Sequence, residues 1–172
     1  GTVAGHQAMT LVAWRGSHIW VIDDSISEWG TSPEQDGASI LAMLYRNGIK
    51  PGEVLLGVGD TNFAGGYRVN DLVEDAIKAK LGGRFPPFRI RNADKSPGSV
   101  DFGMRCVNHA ASRGDLIVLE KCTHTLDMFR NWQGGRTFGT DDAKLSHIAD
   151  GIRYILAEIL RDVPQYARLR LA

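Results

Sequence analysis

The alternation of two hydrophobic periods along this chain most constrains its fold. Short apolar runs of strand character recur between segments whose apolar residues return every three or four positions. Met9 to Trp14 reads as a strand and Ser17 to Asp23 as its hairpin partner, with Arg15-Gly16 as the turn. Ser32-Pro33-Glu34-Gln35 opens a helix: Ser32 can cap, Pro33 suits the first turn, and Gln35 can reach back. Ile40, Leu41, Leu44 and Tyr45 form its apolar stripe, and Asn47-Gly48 stops it. Glu53 to Gly59 reads as a buried strand. Asn70 caps a helix bearing Leu72, Val73, Ala76, Ile77 and Leu81, closed by Gly82-Gly83. Pro87 to Arg91 is a short strand, Ser99 to Ser112 a helix, and Asp115 to Leu119 another strand. Thr123 to Trp132 is helical until Gln133-Gly134-Gly135 breaks it, and Asp142 to Arg161 is the longest helix, ended by Pro164.

An opening hairpin followed by alternating strands and helices predicts an α/β fold, with a mixed sheet covered by helices on both faces. At 172 residues the chain can bury a substantial core as one domain, expected over residues 1–163, with 164–172 as a frayed tail or linker. No apolar run reaches the length of a membrane span, and no signal-peptide pattern opens the chain. The 20 basic and 20 acidic residues cancel, whereas a broad nucleic-acid surface is usually basic. Any such partner therefore meets few contacts or a locally segregated charge. Cys106 and Cys122 lack the second pair that a zinc site needs, so they read as buried, reduced thiols of an intracellular chain.

Two acids stand out. Val54-Leu55-Leu56-Gly57-Val58-Gly59 runs straight into Asp60, and ligands collect beyond the carboxyl ends of strands in open α/β sheets. The small, polar loop Thr61 to Gly66 that follows can shape a site. A turn aspartate holding its own backbone reads the same way. Asp150 lies on the long helix, off the stripe formed by Leu145, Ile148, Ile152, Leu156 and Ile159. His147 is one turn before it, close enough for the side chains to approach. Here the alternative is a solvated helix acid.

Carboxylates delivered to one point by a strand end and a late helix can hold magnesium, which prefers carboxylate oxygens and water. Two such ions roughly 3.5–4 Å apart can activate water and stabilise the leaving oxygen of a phosphodiester. Asp141 and Asp142 are further candidate ligands, although capping the long helix would explain them equally. Arg84, Arg89, Arg91 and Lys95, interleaved with Phe85, Phe88 and prolines, could contact a phosphate backbone or simply protect a solvated edge. Arg153 joins these DNA-contact candidates. His18, His109 and His124 show no ligand spacing.

Together these features resemble the nuclease domain of tailed-phage large terminase subunits. The resemblance is carried by the hairpin, the strand ending in Gly59-Asp60, Lys95 before a helix, the strand Leu116 to Leu119 and Cys122 with its following helix. The late signature His147-Ile148-Ala149-Asp150-Gly151-Ile152-Arg153-Tyr154 completes it. It covers nearly the whole chain through short motifs whose order and spacing add most of the weight. It implies a ribonuclease H-like fold and cleavage of concatemeric double-stranded DNA with two Mg2+ or Mn2+ ions. Asp60 would be the second catalytic acid and Asp150 the third, with both brought to one cation or a bridged pair. The first acid should stand on the first strand before a glycine. Met9 to Trp14 holds none, so it is expected upstream of Gly1, with Asp23 and Asp24 as poorer substitutes. The implied partners are an ATPase domain of the same polypeptide, the portal and the small terminase subunit, in the host cytoplasm and without a membrane. No glycine-rich loop ending in Gly-Lys-Ser/Thr is present, so the motor itself is absent from this chain. Another ribonuclease H-like nuclease, of resolvase or integrase type, and a non-catalytic docking module are the competing readings.

Overall fold

The computed structural model describes residues 7–27, 30–60, 63–64, 66–83, 88–132, 141–161 and 163–164, with only the backbone at 63–64 and 141–143. In chain order the elements are β1 (Ala8–Arg15), β2 (His18–Ile26), α1 (Pro33–Arg46), β3 (Gly57–Gly59), β4 (Phe63–Ala64), β5 (Tyr67–Arg68), α2 (Val69–Lys80), β6 (Ile90–Asn92), α3 (Ser99–Ser112), β7 (Leu116–Val118), α4 (Thr123–Asn131) and α5 (Asp141–Leu160). They divide into two compact units, one built on Ser27–Ala93 and the other joining Ala8–Ile26 to Asp94–Ala172.

The second unit carries a small mixed sheet in the order β1-β2-β7, flanked by helices. β1 and β2 form an antiparallel hairpin, and β7 joins β2 in parallel with Ile19 opposite Leu116. The hairpin register shifts once: Val12 faces Val21, but Leu11 faces Asp23, so Ile22 is an extra residue on β2. Such a bulge reverses which side chains face the core beyond it. Ile19 is fully buried in the core, with Val12 and Trp14 packed against it. Past the bulge, Ala8 and Ile26 pack there too. Asp24, opposite Thr10, therefore lies on the core side of the sheet.

Over that face lies the apolar stripe of α5: Leu145, Ile148, Ala149, Ile152, Leu156 and Leu160. Phe102, Cys106, Val107 and Ala110 of α3 complete the cluster with Met128 of α4. Fully burying a side chain such as Ile148, Ile152 or Leu156 contributes about 1.5–3 kcal/mol. The expected stripe is thus present, except that Leu160 takes the fully buried place expected of Ile159, which is only partly buried. Both cysteines are buried, as expected. Burial pushes the Cys106 thiol up to about 11. Burial, then the Asp24 and Asp23 carboxylates, push Cys122 up to about 11 as well.

In the first unit, α1 starts as its sequence dictates. Gln35 N–H donates to Ser32 Oγ, and Ser32 N–H donates to Gln35 Oε1 at 2.8 Å. It ends with Gly48 at φ +69° and Ile49 N–H bonded to Leu44 O, the geometry that a left-handed glycine permits. α1 packs on α2 through Gly37, where an added Cβ would sit 3.2 Å from Ala76 Cβ.

Several elements depart from expectation: the strand expected over Pro87 to Arg91 runs over Ile90–Asn92, and the short strands β4 and β5 were not foreseen. The strand foreseen over Glu53 to Gly59 shrinks to Gly57–Gly59. Lys50 N–H bonds to Glu53 Oε2 at 2.6 Å and Val54 N–H to Pro51 O, so the chain turns there and Leu55 is left exposed. Asn70 does not cap α2; the helix begins at Val69, and Asn70 is buried in its first turn with its amide engaged elsewhere.

Candidate functional site

β3 pairs in parallel with β6, placing Gly59 opposite Asn92. Asp60 follows directly at the carboxyl end of β3 and is half-buried. Its backbone is fixed on both sides. Ala93 N–H donates to Gly59 O at 2.8 Å. The Asn70 amide donates from Nδ2 to Asp60 O at 3.2 Å and to Asn92 Oδ1 at 2.9 Å. Residues 61–62, which open the loop expected to shape the site, lie outside the described residues.

Asp150 sits on α5 in the other unit, with its side chain 25% exposed. Arg153, three residues on, donates to Asp150 Oδ1 from Nε at 3.2 Å and from Nη2 at 2.8 Å. The Arg153 side chain is 5% exposed, and its guanidinium carbon lies 4.5 Å from the centroid of the Tyr154 ring. This burial depends on Gly103 of α3: a Cβ there would fall 2.3 Å from Arg153 Cγ. An almost buried guanidinium is costly unless it is paired, so Arg153 and Asp150 hold each other. Asp150 is therefore a braced carboxylate and not a solvated helix acid.

The other candidates stand as follows. His147 is exposed, one turn before Asp150. The α5 backbone is already helical at Asp141 and Asp142, whose side chains lie outside the described residues. Arg84 and Phe85 lie outside them too. Arg89 is exposed, but its Nη1 donates to Oε2 of the buried Glu74 at 3.0 Å; Glu74 Oε1 also receives Ile90 N–H at 2.6 Å. Arg91 and Lys95 are exposed. Asp24, buried on β2, accepts Thr125 N–H on Oδ2 at 2.6 Å and so caps the start of α4 from outside. Arg153 is buried and placed as a support for Asp150.

Sequence reasoning missed Asn70, Asn92, Gly59 and Gly103. A usable signal existed for Gly103, because a glycine inside a helix costs about 1 kcal/mol and usually marks a close approach. None existed for the Asn70–Asn92 pair, which meets only after β6 pairs with β3.

Among the described residues, no three His, Cys, Asp or Glu side chains gather as a metal site. What fits a hard cation is the donor chemistry: carboxylate oxygens at a strand end and on a helix. Both Arg153 bonds fall on Oδ1 of Asp150. No helix among the described residues is long and apolar enough to cross a membrane. No protein-family model matches this chain, and no curated protein or solved structure matches it.

Proposed function

We propose that this chain is a metal-dependent endonuclease domain with a ribonuclease H-like fold. In this reading it belongs to a phage DNA-packaging terminase acting in the host cytoplasm. Its substrate is concatemeric double-stranded DNA, and its partners are an ATPase domain, the portal and the small terminase subunit. The observation that carries the reading is the bracing of Asp150. A helix acid held by a buried arginine, itself admitted by a glycine on the facing helix, is built to keep one orientation. It occurs within the same residues that carry the terminase resemblance. Asp60, backed by Asn70, is the second acid of that pattern.

Asp60 and Asp150 are each candidate ligands for Mg2+ or Mn2+, with Asp141 and Asp142 as further candidates. Bound there, such ions would supply charge stabilisation and a more acidic water for phosphodiester hydrolysis. The chain's own contribution is orientation. Arg153 restrains Asp150 from one side and screens its charge, so the carboxylate faces its ligand without searching rotamers. Exposed Arg91 and Lys95 would meet phosphates. His147, exposed one turn before Asp150, would act from outside the ligand set.

The test is Mn2+ binding by calorimetry beside nicking of supercoiled plasmid with Mn2+ or Mg2+. Asp60→Asn and Asp150→Asn should each weaken Mn2+ binding by at least the roughly 10–100-fold that loss of an outer partner costs. Both should abolish cleavage while circular dichroism remains that of the parent. Cleavage should favour manganese, which tolerates looser geometry. Unchanged Mn2+ affinity in either variant would reject the reading, and in both would favour a docking module.

A further inference from the structure

We infer that Asn70 is a positioning residue that sets the direction of the Asp60 side chain, with Gly59 and Asn92 as the parts that let it do so. The inference rests on the reading of Asp60 as a metal ligand. The Cα of Asp60 lies between two peptide carbonyls. The one before it, Gly59 O, is held by Ala93 N–H at 2.8 Å. The one after it, Asp60 O, is held by Asn70 Nδ2 at 3.2 Å. With both peptide planes fixed, the Cα–Cβ bond of Asp60 has one direction, and only the side-chain torsions remain. The second proton of the same amide goes to Asn92 Oδ1 at 2.9 Å, so Asn70 cannot rotate without losing both bonds.

Gly59 is the third part. A Cβ there would lie 2.4 Å from Asn70 Oδ1, 3.0 Å from Cγ and 3.1 Å from Nδ2. The contact with Oδ1 is closer than real Cβ atoms approach, so a side chain at position 59 would force the Asn70 amide to shift from its place. Nothing else about position 59 requires glycine, because its φ is not in the left-handed region. Asn70 is itself nearly buried in the first turn of α2, a position that brings no capping bond. Its amide serves the Asp60 backbone instead.

The experiment measures Mn2+ affinity of the full chain by calorimetry, at a temperature where circular dichroism shows each variant folded. Asn70→Ala and Gly59→Ala should each weaken Mn2+ binding by about 10–100-fold. The double variant should bind no more weakly than Gly59→Ala alone, because the methyl then meets no amide. Asn92→Ala, a change at an exposed residue, should give a smaller loss in the same direction. Val73→Ala, which destabilises α2 from the core, should leave affinity unchanged. Affinity in Asn70→Ala and Asn92→Ala equal to that of Val73→Ala, while Asp60→Asn loses binding, would overturn the inference and leave the functional reading standing. Retained affinity in Asp60→Asn would overturn the functional reading itself. A metal-free measurement separates the two: the 13C resonance of the Asp60 carbonyl should move upfield in Asn70→Ala, as it does when a carbonyl loses a hydrogen bond. An unmoved resonance would overturn the clamp whatever the metal does.

Discussion

Gly103→Ala is the sharpest probe of how Asp150 is held. The added methyl would lie 2.3 Å from Arg153 Cγ, 3.0 Å from Cδ and 3.4 Å from the Arg153 carbonyl oxygen. Cγ is near the root of the side chain, so moving it carries the guanidinium off Asp150. Overpacking a tight site costs about 1–3 kcal/mol, and losing hydrogen bonds between charged groups costs about 1.5–3 kcal/mol. Alanine returns about 1 kcal/mol of helix propensity. The net loss is therefore about 1.5–5 kcal/mol, a large part of the ~5–15 kcal/mol that holds a typical protein folded. Near 3 kcal/mol, the melting temperature should fall by roughly 6–12 °C for a chain of this size. Urea unfolding followed by circular dichroism gives the number. Repeating it in an Arg153→Ala background gives the cause, because the methyl then meets no stem and the penalty should shrink by at least ~1 kcal/mol. A neutral or stabilising Gly103→Ala, or the same penalty in both backgrounds, would refute the reasoning.

Asp36 offers a pH test. It is 1% exposed, and neither carboxyl oxygen meets a hydrogen-bond donor at normal geometry among the described residues. Burial raises its pKa, and the Thr31 side chain offsets part of the rise. A folded pKa above the unfolded one contributes stability that is present below the unfolded value and lost as pH rises through the folded value. Asp36→Asn should therefore raise the urea midpoint near neutral pH, with the gap closing in acid; a gap independent of pH would reject this. For DNA, Arg91→Ala and Lys95→Ala should each lower the slope of log affinity against log salt by about 0.9 if each meets a phosphate. Arg89→Ala should change the slope less and stability more, since it leaves the buried Glu74 carboxylate without its arginine. Unchanged slopes for Arg91 and Lys95 would make them a solvated edge.

Local signals carried most of the elements. The Ser32 capping box, Gly48 and Gly82-Gly83 mark helix ends by chemistry confined to a few residues, and those ends lie where the sequence puts them. The stripe of α5 was legible for the same reason, because its period is visible within the segment. What depended on another element was not legible. The register shift at Ile22 arises only when β2 pairs with β1, and it turns Asp24 onto the core side. Asp24 then caps α4, a helix whose own cap residue, Cys122, supplies no side-chain cap bond. A carboxylate that read as a spare catalytic acid at a strand end thus lies inside β2 and has a structural duty. Glu74 is similar: in sequence it is one more helix acid, yet it bonds Ile90 N–H and the Arg89 guanidinium across to β6.

Glycine offers a way to read such supports in advance. Eight described glycines have positive φ, and where their surroundings are known an added Cβ would meet nothing within 4 Å; those positions are glycine for conformation. Gly59 and Gly103 are the reverse. Their φ is ordinary, and an added Cβ would strike a polar side chain, Asn70 in one unit and Arg153 in the other. In each case that side chain hydrogen-bonds to a candidate acid, Asp60 or Asp150. In both units a polar side chain bonds to a carboxylate-bearing residue beside a backbone position that has no Cβ. Glycine interrupting a strand or helix without a left-handed φ carries a conformational cost that only close approach offsets. What an added Cβ would meet separates two uses of such glycines: a polar side chain at Gly59 and Gly103, but the packing of a neighbouring element at Gly37 and Gly57, where it would approach Ala76, Ile77 and Ile90.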